Sequence, residues 1–429
     1  MSERIVRVGL LGCGTVGAAT IRLLHEHGDD IAMRTSCRLV VTRVAVRDVD
    51  RDRNVPLDAS AFTTDGASIV DDPEVDIVCE LLGGMEPARS LILRAFAGGK
   101  SVVTANKELI ANAGKELFDA SDAAGLDLYF EAAVAGGIPL IRPLKESLAG
   151  ERLSRVIGIV NGTTNFILTQ MSQHGWSFDV ALAEAQRLGY AEADPTADVE
   201  GFDAAAKCAI LASIAFNARV VAGDVFREGI TGVQPQAIAD AARLGYVVKL
   251  LAIAELEDDE ISARVHPAMI PASHPLASVH DAFNAVFVEG EKIGQLMFYG
   301  RGAGGDPTAT AVIGDLVSAA RNRLAGTRGV GCTCVYERKI RPMDDTRGQY
   351  YLELHVEDRP GVLAEVAEHF GRNGVSIERV WQEGFGDEAT LVFITHRAQE
   401  GAFQKTVREL RELSAVRAVS SVVRVEGEE

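Results

Sequence analysis

Five short apolar runs separated by helical stretches occupy the first third of the chain, and this alternation restricts its fold more than any other feature. The runs are "IVRVGLLG", "RLVVTRVAV", "VDIVCELL", "KSVVTAN" and "LDLYFEA", lying between residue 4 and about residue 131. Strands apolar on both faces need cover on both faces, and the intervening helices supply it. The pattern predicts an α/β fold with a doubly wound parallel sheet.

The first run leads directly into "GLLGCGTVG", which sets Gly12, Gly14 and Gly17 in G-x-G-x-x-G spacing at the mouth of a helix, with Thr15 and Val16 between them. Glycines allow a tight turn there and let a pyrophosphate approach the positive helix end. The competing reading is a strand-to-helix turn that binds nothing. At the end of the second run, "VAVRDVDR" places Arg47 and Asp48 where such a fold selects its ribose. An arginine suits the 2′-phosphate of NADP and an acid the 2′-hydroxyl of NAD. Arg47 comes first, so the reading leans to NADP with NAD tolerated, against an ordinary solvated charge pair.

"SVVTANKELI" puts Thr104, Asn106 and Lys107 at the carboxyl end of the fourth strand. Open α/β sheets bind ligands on that edge, so Lys107 either contacts substrate or opens a surface helix. "FEAAVAGGIP" follows the carboxylate of Glu131 with small residues that expose backbone carbonyls. Oxygen atoms of that kind can hold a hard cation, though from the residues alone a plain glycine-rich turn is the favoured reading.

Between Asp203 and Ala218 the only charged residues are Asp203 and Lys207, among Ala205, Ala206, Ile210, Leu211, Ile214 and Phe216. A helix apolar all round is a core helix, so Lys207 is expected to be buried. A buried ammonium finds a partner, loses its proton or does chemistry. Asp203 stands one turn before it on the same face. On spacing alone the two also fit a surface pair worth about 0.2–0.5 kcal/mol.

At 429 residues the chain has room for two or three domains, and its 47% hydrophobic and 24% charged content is that of a globular protein. A formal net charge of −18 argues against nucleic acid as a partner. No apolar run reaches the roughly 20 residues needed to span a membrane, and the N-terminus lacks the sections of a signal peptide. Cys13, Cys37, Cys79, Cys208, Cys332 and Cys334 are scattered, as expected of reduced thiols in the cytoplasm. One residue separates Cys332 from Cys334, which is not zinc-knuckle spacing, so no metal is expected there.

After residue 150 the order changes to one strand, three helical segments and then strands near 246–256, 261–270, 284–291 and 294–300, an α+β pattern. A stretch rich in glycine and charge, "NRLAGTRGVGCTCVYERKIRPMDDTRGQ", reads as a linker. The tail then reads strand, helix, strand, strand, helix, strand, a ferredoxin-like unit. We expect domains at 1–148, 149–323 and 349–429, with 324–348 as linker.

"GLLGCGTVG", "TANKELI", "EAAVAGGIP", "GIVNGTTNFIL", "GYAEADPTADVEGFDAAAK" and "YGRGAGGDPTATAV" occur in this order, and together they resemble homoserine dehydrogenases over residues 5 to about 320. The tail, with "VEDRPGVLAEVAEHFGRNGVSIERV", resembles an ACT domain. The resemblance implies a Rossmann-type N-terminal domain, an α+β catalytic domain and a C-terminal βαββαβ ACT module. It also implies reversible oxidation of L-homoserine to L-aspartate 4-semialdehyde with NADP or NAD, in the pathway to threonine, methionine and isoleucine.

By the same resemblance Lys207 is the acid/base and Lys107 lies where cofactor meets substrate. Glu192 and Asp203 hold the amino and hydroxyl end of the substrate, and Asp198 supports that cluster. Glu131 with the carbonyls of Val134, Gly136 and Ile138 matches a site for a monovalent cation such as sodium, and Gly189 and Gly304 match cofactor contacts. The family implies a homodimer or homotetramer. The tail is expected to sense an amino acid, threonine first, near Asp358, Gly361 and Leu363; the alternative is a dimerisation module without ligand. A non-catalytic sensor of dinucleotide and amino acid is the competing function. Such a sensor has no need of an ammonium inside an apolar helix.

Overall fold

A computed structural model describes residues 4–427. The N-terminal part comprises β1 (Arg4–Leu11), α1 (Thr15–Thr35), β2 (Cys37–Ala45), β3 (Phe62–Thr63), α2 (Gly66–Val70), β4 (Ile77–Glu80), α3 (Ala88–Ala97), β5 (Ser101–Thr104), α4 (Lys107–Ala124) and β6 (Leu128–Tyr129). Its six strands are parallel in the order β3-β2-β1-β4-β5-β6. The order reverses between β1 and β4, and at such a point the loops above the carboxyl ends diverge and leave a crevice. β4 and β5 are buried along their whole length, as the continuous apolar runs require.

The second part begins with β7 (Leu153–Ile159), α5 (Gly162–His174), α6 (Phe178–Arg187), α7 (Thr196–Val199), α8 (Phe202–Ala215), β8 (Phe226–Arg227) and α9 (Pro235–Arg243). It continues with β9 (Tyr246–Glu257), β10 (Glu260–Pro271), β11 (Phe283–Gly290), β12 (Gly294–Arg301) and α10 (Gly305–Ala325). Five helices therefore separate β7 from β9 where the sequence suggested three. The added ones are short: α7 is a single turn after Pro195, and α9 starts on Pro235. Proline fixes the first helical φ without a sustained apolar period to announce the helix.

The tail adds β13 (Lys339–Ile340), β14 (Arg347–Glu357), α11 (Val362–Arg372), β15 (Ile377–Phe385), β16 (Glu388–Thr395), β17 (Ala398–Gln399), α12 (Glu400–Glu412) and β18 (Val416–Val425). Its sheet is not separate from the one before it. β18 lies parallel to β10 through Ala268–Arg424 and Met269–Val425, so one sheet runs β12-β11-β7-β9-β10-β18-β14-β16-β15.

The linker region is also fastened rather than free. The Gly329 amide donates to Asp127 (2.7 Å), Tyr336 to the Asn217 carbonyl (3.0 Å) and Arg341 to the Ile261 carbonyl (2.8 Å). These partners come from the N-terminal part and the second part, and no local pattern in the sequence marks them.

Candidate functional site

α8 is the centre of the site. Twelve of its fourteen residues are buried, from Asp203 to Ala215, because α4, β9 and β10 pack around it. Lys207 is 9% exposed. Its ammonium donates to Asp203 Oδ2 (2.6 Å) and to the Val160 carbonyl at the end of β7 (2.7 Å). Asp203 Oδ1 takes a second ammonium, that of Lys107 at the start of α4, also at 2.6 Å. One carboxylate thus holds two lysines.

Asn161 ties the next carboxylate to the cluster, since its amide nitrogen donates to Asp198 (2.7 Å) and to Asp203 Oδ2 (2.9 Å). Its amide oxygen accepts from the Thr164 amide and caps α5. Asn161 was not singled out from the sequence, although "GIVNGTTNFIL" shows the N-cap signal of an asparagine between a strand and a helix.

Charge in this cluster is unevenly distributed. Burial would raise the Asp203 carboxyl, but Lys207 and Lys107 outweigh it and hold the group well below the usual carboxylate range. Burial pulls the Lys207 ammonium below its ordinary value despite Asp203, and Lys107 pulls the same way. For Lys107 burial acts in that direction too, but attraction to Asp203 prevails and its pKa is raised. Of two lysines on one carboxylate, Lys207 is the one prepared to release a proton.

A cavity of about 1480 Å³ opens over the cluster, lined among others by Lys107, Glu192, Asp198, Asp203 and Lys207. Gly189 and Gly304 are on its wall as well. Glu192 is exposed there, and its carbonyl accepts from Gln186. The N-terminus of α5 contributes Gly162 and Thr163, and the β11–β12 hairpin contributes Asn284 and Gly302. Asn284 is 1% exposed and its Oδ1 has no hydrogen-bond partner. A Cβ on Gly302 would meet the Asn284 amide at 1.9 Å, so the amide fills the space that glycine leaves. An isolated asparagine in an apolar strand gave no sequence signal.

The glycine turn is not in that lining, but its Thr15 stands beside Gly305, next to the lining residue Gly304. Gly12 has φ +101°, and a Cβ there would meet the Leu81 carbonyl at 2.7 Å. A Cβ on Gly17 would meet the Gly12 carbonyl at 2.5 Å, and its absence lets α1 start immediately above β1. At Gly14 the space is open, and α1 begins there with no side-chain cap. Thr15 and Val16 form its first turn. α10 starts beside them: a Cβ on Gly305 would sit 3.2 Å from Thr15 Cγ2, and Gly304 has φ +122° and caps no amide through a side chain. Two helix N-termini therefore converge on uncovered backbone amides, a fit for a pyrophosphate.

Arg47 stands two residues beyond β2, exposed, with no hydrogen bond or ion pair among the described residues. Asp48 is turned to its own loop, accepting from the Asp50 amide (3.0 Å). Thr104 differs from expectation in one respect. It is fully buried and its hydroxyl donates to Glu80 (2.6 Å) while accepting from the Asn106 amide (3.0 Å). Its side chain holds Asn106, which caps α4 and so aims Lys107. Glu80, missed in the sequence, also accepts from the Leu82 and Gly83 amides.

Glu131 is buried, and its carboxylate accepts from the amides of Leu140, Ile141 (2.7 Å) and Arg142 (2.9 Å). Three of about four lone-pair positions on the carboxylate are thereby taken. Between them Ala135 and Gly136 have φ of +57° and +50°, turning the chain past Val134 and Ile138. A Cβ on Gly136 would meet the Gly302 carbonyl at 2.4 Å, so this turn backs the cavity wall. Among the described residues no three His, Cys, Asp or Glu gather as metal ligands. No helix among them is long and apolar enough to cross a membrane.

Comparison with known proteins agrees with this arrangement. Residues 139–317 match the family model described as homoserine dehydrogenase, residues 12–131 that of the homoserine dehydrogenase NAD-binding domain, and residues 350–415 that of the ACT domain. The chain is 52% identical to a homoserine dehydrogenase of Mycobacterium tuberculosis H37Rv, over 99% of this chain and 98% of that one. It is 50% identical to one from Corynebacterium glutamicum, over 98% and 96%. A crystal structure of a homoserine dehydrogenase from Thiobacillus denitrificans superposes with a TM-score of 0.93 at 41% identity, covering 99% of both chains. A hyperthermophilic archaeal homoserine dehydrogenase in complex with NADPH superposes with a TM-score of 0.62 at 28% identity, covering 74% of this chain and 98% of that one.

Proposed function

The chain belongs to the homoserine dehydrogenase family, and on that premise we propose how its residues perform the reaction. It is an oxidoreductase that interconverts L-homoserine and L-aspartate 4-semialdehyde with a nicotinamide dinucleotide. The observation that carries the mechanism is the Asp203 carboxylate gripping two ammonium groups on the cavity wall.

Lys207 is the acid/base. In the oxidative direction it takes the proton from the homoserine hydroxyl, and in the reductive direction it returns one to the oxygen where negative charge develops. The bound nicotinamide accepts or supplies the hydride. Asp203 orients Lys207, and Lys107 keeps Asp203 from neutralising it fully. Glu192, with Asp198 and Asp203, holds the substrate ammonium. The substrate carboxylate faces the N-terminus of α5, where the amides of Gly162 and Thr163 lack intrahelical partners. Gly12, Gly14, Thr15, Val16 and Gly17 would hold the pyrophosphate, with Gly189 and Gly304 toward the nicotinamide and Thr104 acting through Asn106.

NADP is the preferred coenzyme in this reading, because Arg47 is exposed and unengaged at the ribose position. Glu131 and the carbonyls of Val134, Gly136 and Ile138 would hold a monovalent cation such as sodium. Its part is to fix the turn behind Gly302, not to touch the substrate. The protein works in the cytoplasm as a homodimer or homotetramer, for which the open edges at β12 and β15 offer surfaces.

Threonine is the effector we assign to the tail. A cavity of about 300 Å³ is lined by Asp358, Gly361, Leu363 and Gln382, at the start of α11. At the opposite end of β14 the tail meets the catalytic part: Arg424 on β18 pairs with Glu228 (2.6 Å), and the neighbouring Arg227 guanidinium lies 3.4 Å over the ring of Phe202, next to Asp203.

The test mixes the purified protein with homoserine and NAD+ or NADP+ and follows absorbance of the reduced nicotinamide. Reduction is expected with both and faster with NADP+ at low concentration; no reduction with either would overturn the reading. Asp358→Ala should abolish inhibition by threonine and leave the homoserine KM unchanged. Undiminished inhibition would mean that threonine acts at the homoserine site.

A further inference from the structure

Outside the catalytic cavity, one cluster of reactive side chains has no part in the reaction. Cys332 and Cys334 are half-buried in the fastened linker, whereas the other four cysteines are at most 9% exposed. The two thiols are one residue apart in the chain and line the same small cavity. The chain turns tightly at this place, with the Val335 amide donating to the Thr333 carbonyl (2.9 Å), and Cys334 Sγ is 4.0 Å from the Ser213 carbonyl on α8.

Two cations flank the pair. Arg219 and Lys145 both act on the Cys332 sulfur, and the two thiols line one small cavity of about 40 Å³ with those cations, Phe118 and Phe130. Lys145 is fixed in place: its ammonium lies 5.7 Å over Phe118 and 5.6 Å over Phe130, and donates to the Val330 carbonyl (3.1 Å). The carboxylates acting on Lys145 are those of Glu146 and Asp122.

We propose that Cys332 and Cys334 form a peroxide-sensitive dithiol, in which Cys332 is the attacking thiolate and Cys334 the resolving thiol. The Cys332 thiolate attacks one oxygen of a hydroperoxide, giving a sulfenic acid and releasing water or an alcohol. The Cys334 sulfur then displaces the hydroxyl as a second water, and the sulfur–sulfur bond closes within the chain. Two thiols are oxidised by two electrons, and the peroxide O–O bond is reduced.

The environment supports each role. The neighbouring Cys334, aided by Arg219 and Lys145, holds the Cys332 thiol below its ordinary value, while Cys334 is pushed up. A low-pKa, accessible thiol beside a resolving cysteine is the pattern of redox-sensing pairs. The flanking cations disfavour a metal ion, and no third ligand gathers among the described residues. Closing the bond would draw Cys334 from Ser213, on the helix that also carries Lys207.

The test uses the full-length protein, treated with hydrogen peroxide at low molar excess, alkylated, digested and mapped by mass. The peptide holding both cysteines should lose two hydrogens and regain them with dithiothreitol. In Cys334→Ser, dimedone should trap a sulfenic acid on Cys332; in Cys332→Ser, Cys334 should remain a thiol at the same peroxide dose. Alkylation of Cys332 should reach half its maximal rate at a pH below the value of about 8.5 for a free cysteine. Homoserine oxidation by both variants reports that they are folded. Persistence of both thiols, direct passage to sulfinic acid in the wild type, a bond between chains, or an ordinary alkylation profile would each overturn the proposal.

Discussion

Two buried charge clusters lie on this sheet, and they differ in balance. At the junction with the tail, Arg155 and Arg264 bridge Glu255 and Glu426, with N–O distances of 2.5–3.0 Å. Beside them Arg424 pairs with Glu400 and Glu228, at 2.6 Å each. Three guanidinium groups meet four carboxylates there, each one paired. In the active site two ammonium groups share one carboxylate beneath a cavity. A saturated cluster holds strands together; an unsaturated one facing open space has a proton to give.

The largest effect should come from the unsaturated side. Lys207→Met is expected to lower turnover by two to four orders of magnitude, roughly the worth of a positioned acid/base. Coenzyme affinity should remain near wild type. Stability should hold or rise, because Asp203 keeps Lys107 as partner while the buried ammonium is replaced by an apolar chain of similar length. Lys207→Arg should fail nearly as completely, since a guanidinium does not release its proton near neutrality. Near-wild-type turnover in either variant would return Lys207 to a structural role.

Arg264→Met should do the opposite. It leaves Glu255 and Glu426 facing one another with only Arg155 between them. Breaking a buried pair from one side costs about 3–5 kcal/mol. We expect the denaturation midpoint to fall sharply while turnover per folded molecule changes little. A large loss of turnover at unchanged stability would show that the junction, too, belongs to the catalytic machinery.

The two clusters were not equally legible in the sequence. Lys207 stood out because no other charge from residue 204 to residue 218 relieves its helix, and i, i+4 spacing named Asp203 as its partner. The second lysine on that carboxylate was visible only as a strand-end residue. Its aim depends on Thr104, Glu80 and Asn106, which meet across two parallel strands. The junction was not legible at all: Arg155, Glu255 and Arg264 sit in three different strands and Glu426 directly follows β18, and their meeting follows from the pairing of β10 with β18. The sequence pattern suggested a detached tail for the same reason, since period and turn signals describe an element but not its distant neighbour.

A smaller effect is expected at Arg47, which belongs to neither cluster and should report only on coenzyme choice. Arg47→Ala should weaken NADP(H) by roughly 1.5–3 kcal/mol, the worth of one charge-assisted bond, and leave NAD(H) nearly unchanged. Equal weakening of both coenzymes would show that the guanidinium points elsewhere.

The finest test of the comparison is a shift in pH dependence rather than a loss. With Lys207 as the proposed base, homoserine oxidation needs its neutral form, so kcat/KM in that direction should rise with pH through the Lys207 pKa. Burial first, and the positive charge of Lys107 after it, place that pKa below the ordinary lysine value. Lys107→Met removes the neighbouring charge and leaves Asp203 to Lys207 alone, and both changes favour the ammonium form. The rise in kcat/KM should therefore move to higher pH than in the wild type, whatever happens to the plateau. The junction provides the control, since Arg264→Met alters no charge near Lys207 and should leave the midpoint where it was. A midpoint that stays fixed in Lys107→Met, or moves down, would mean that the group titrating in the profile is not the lysine held by Asp203.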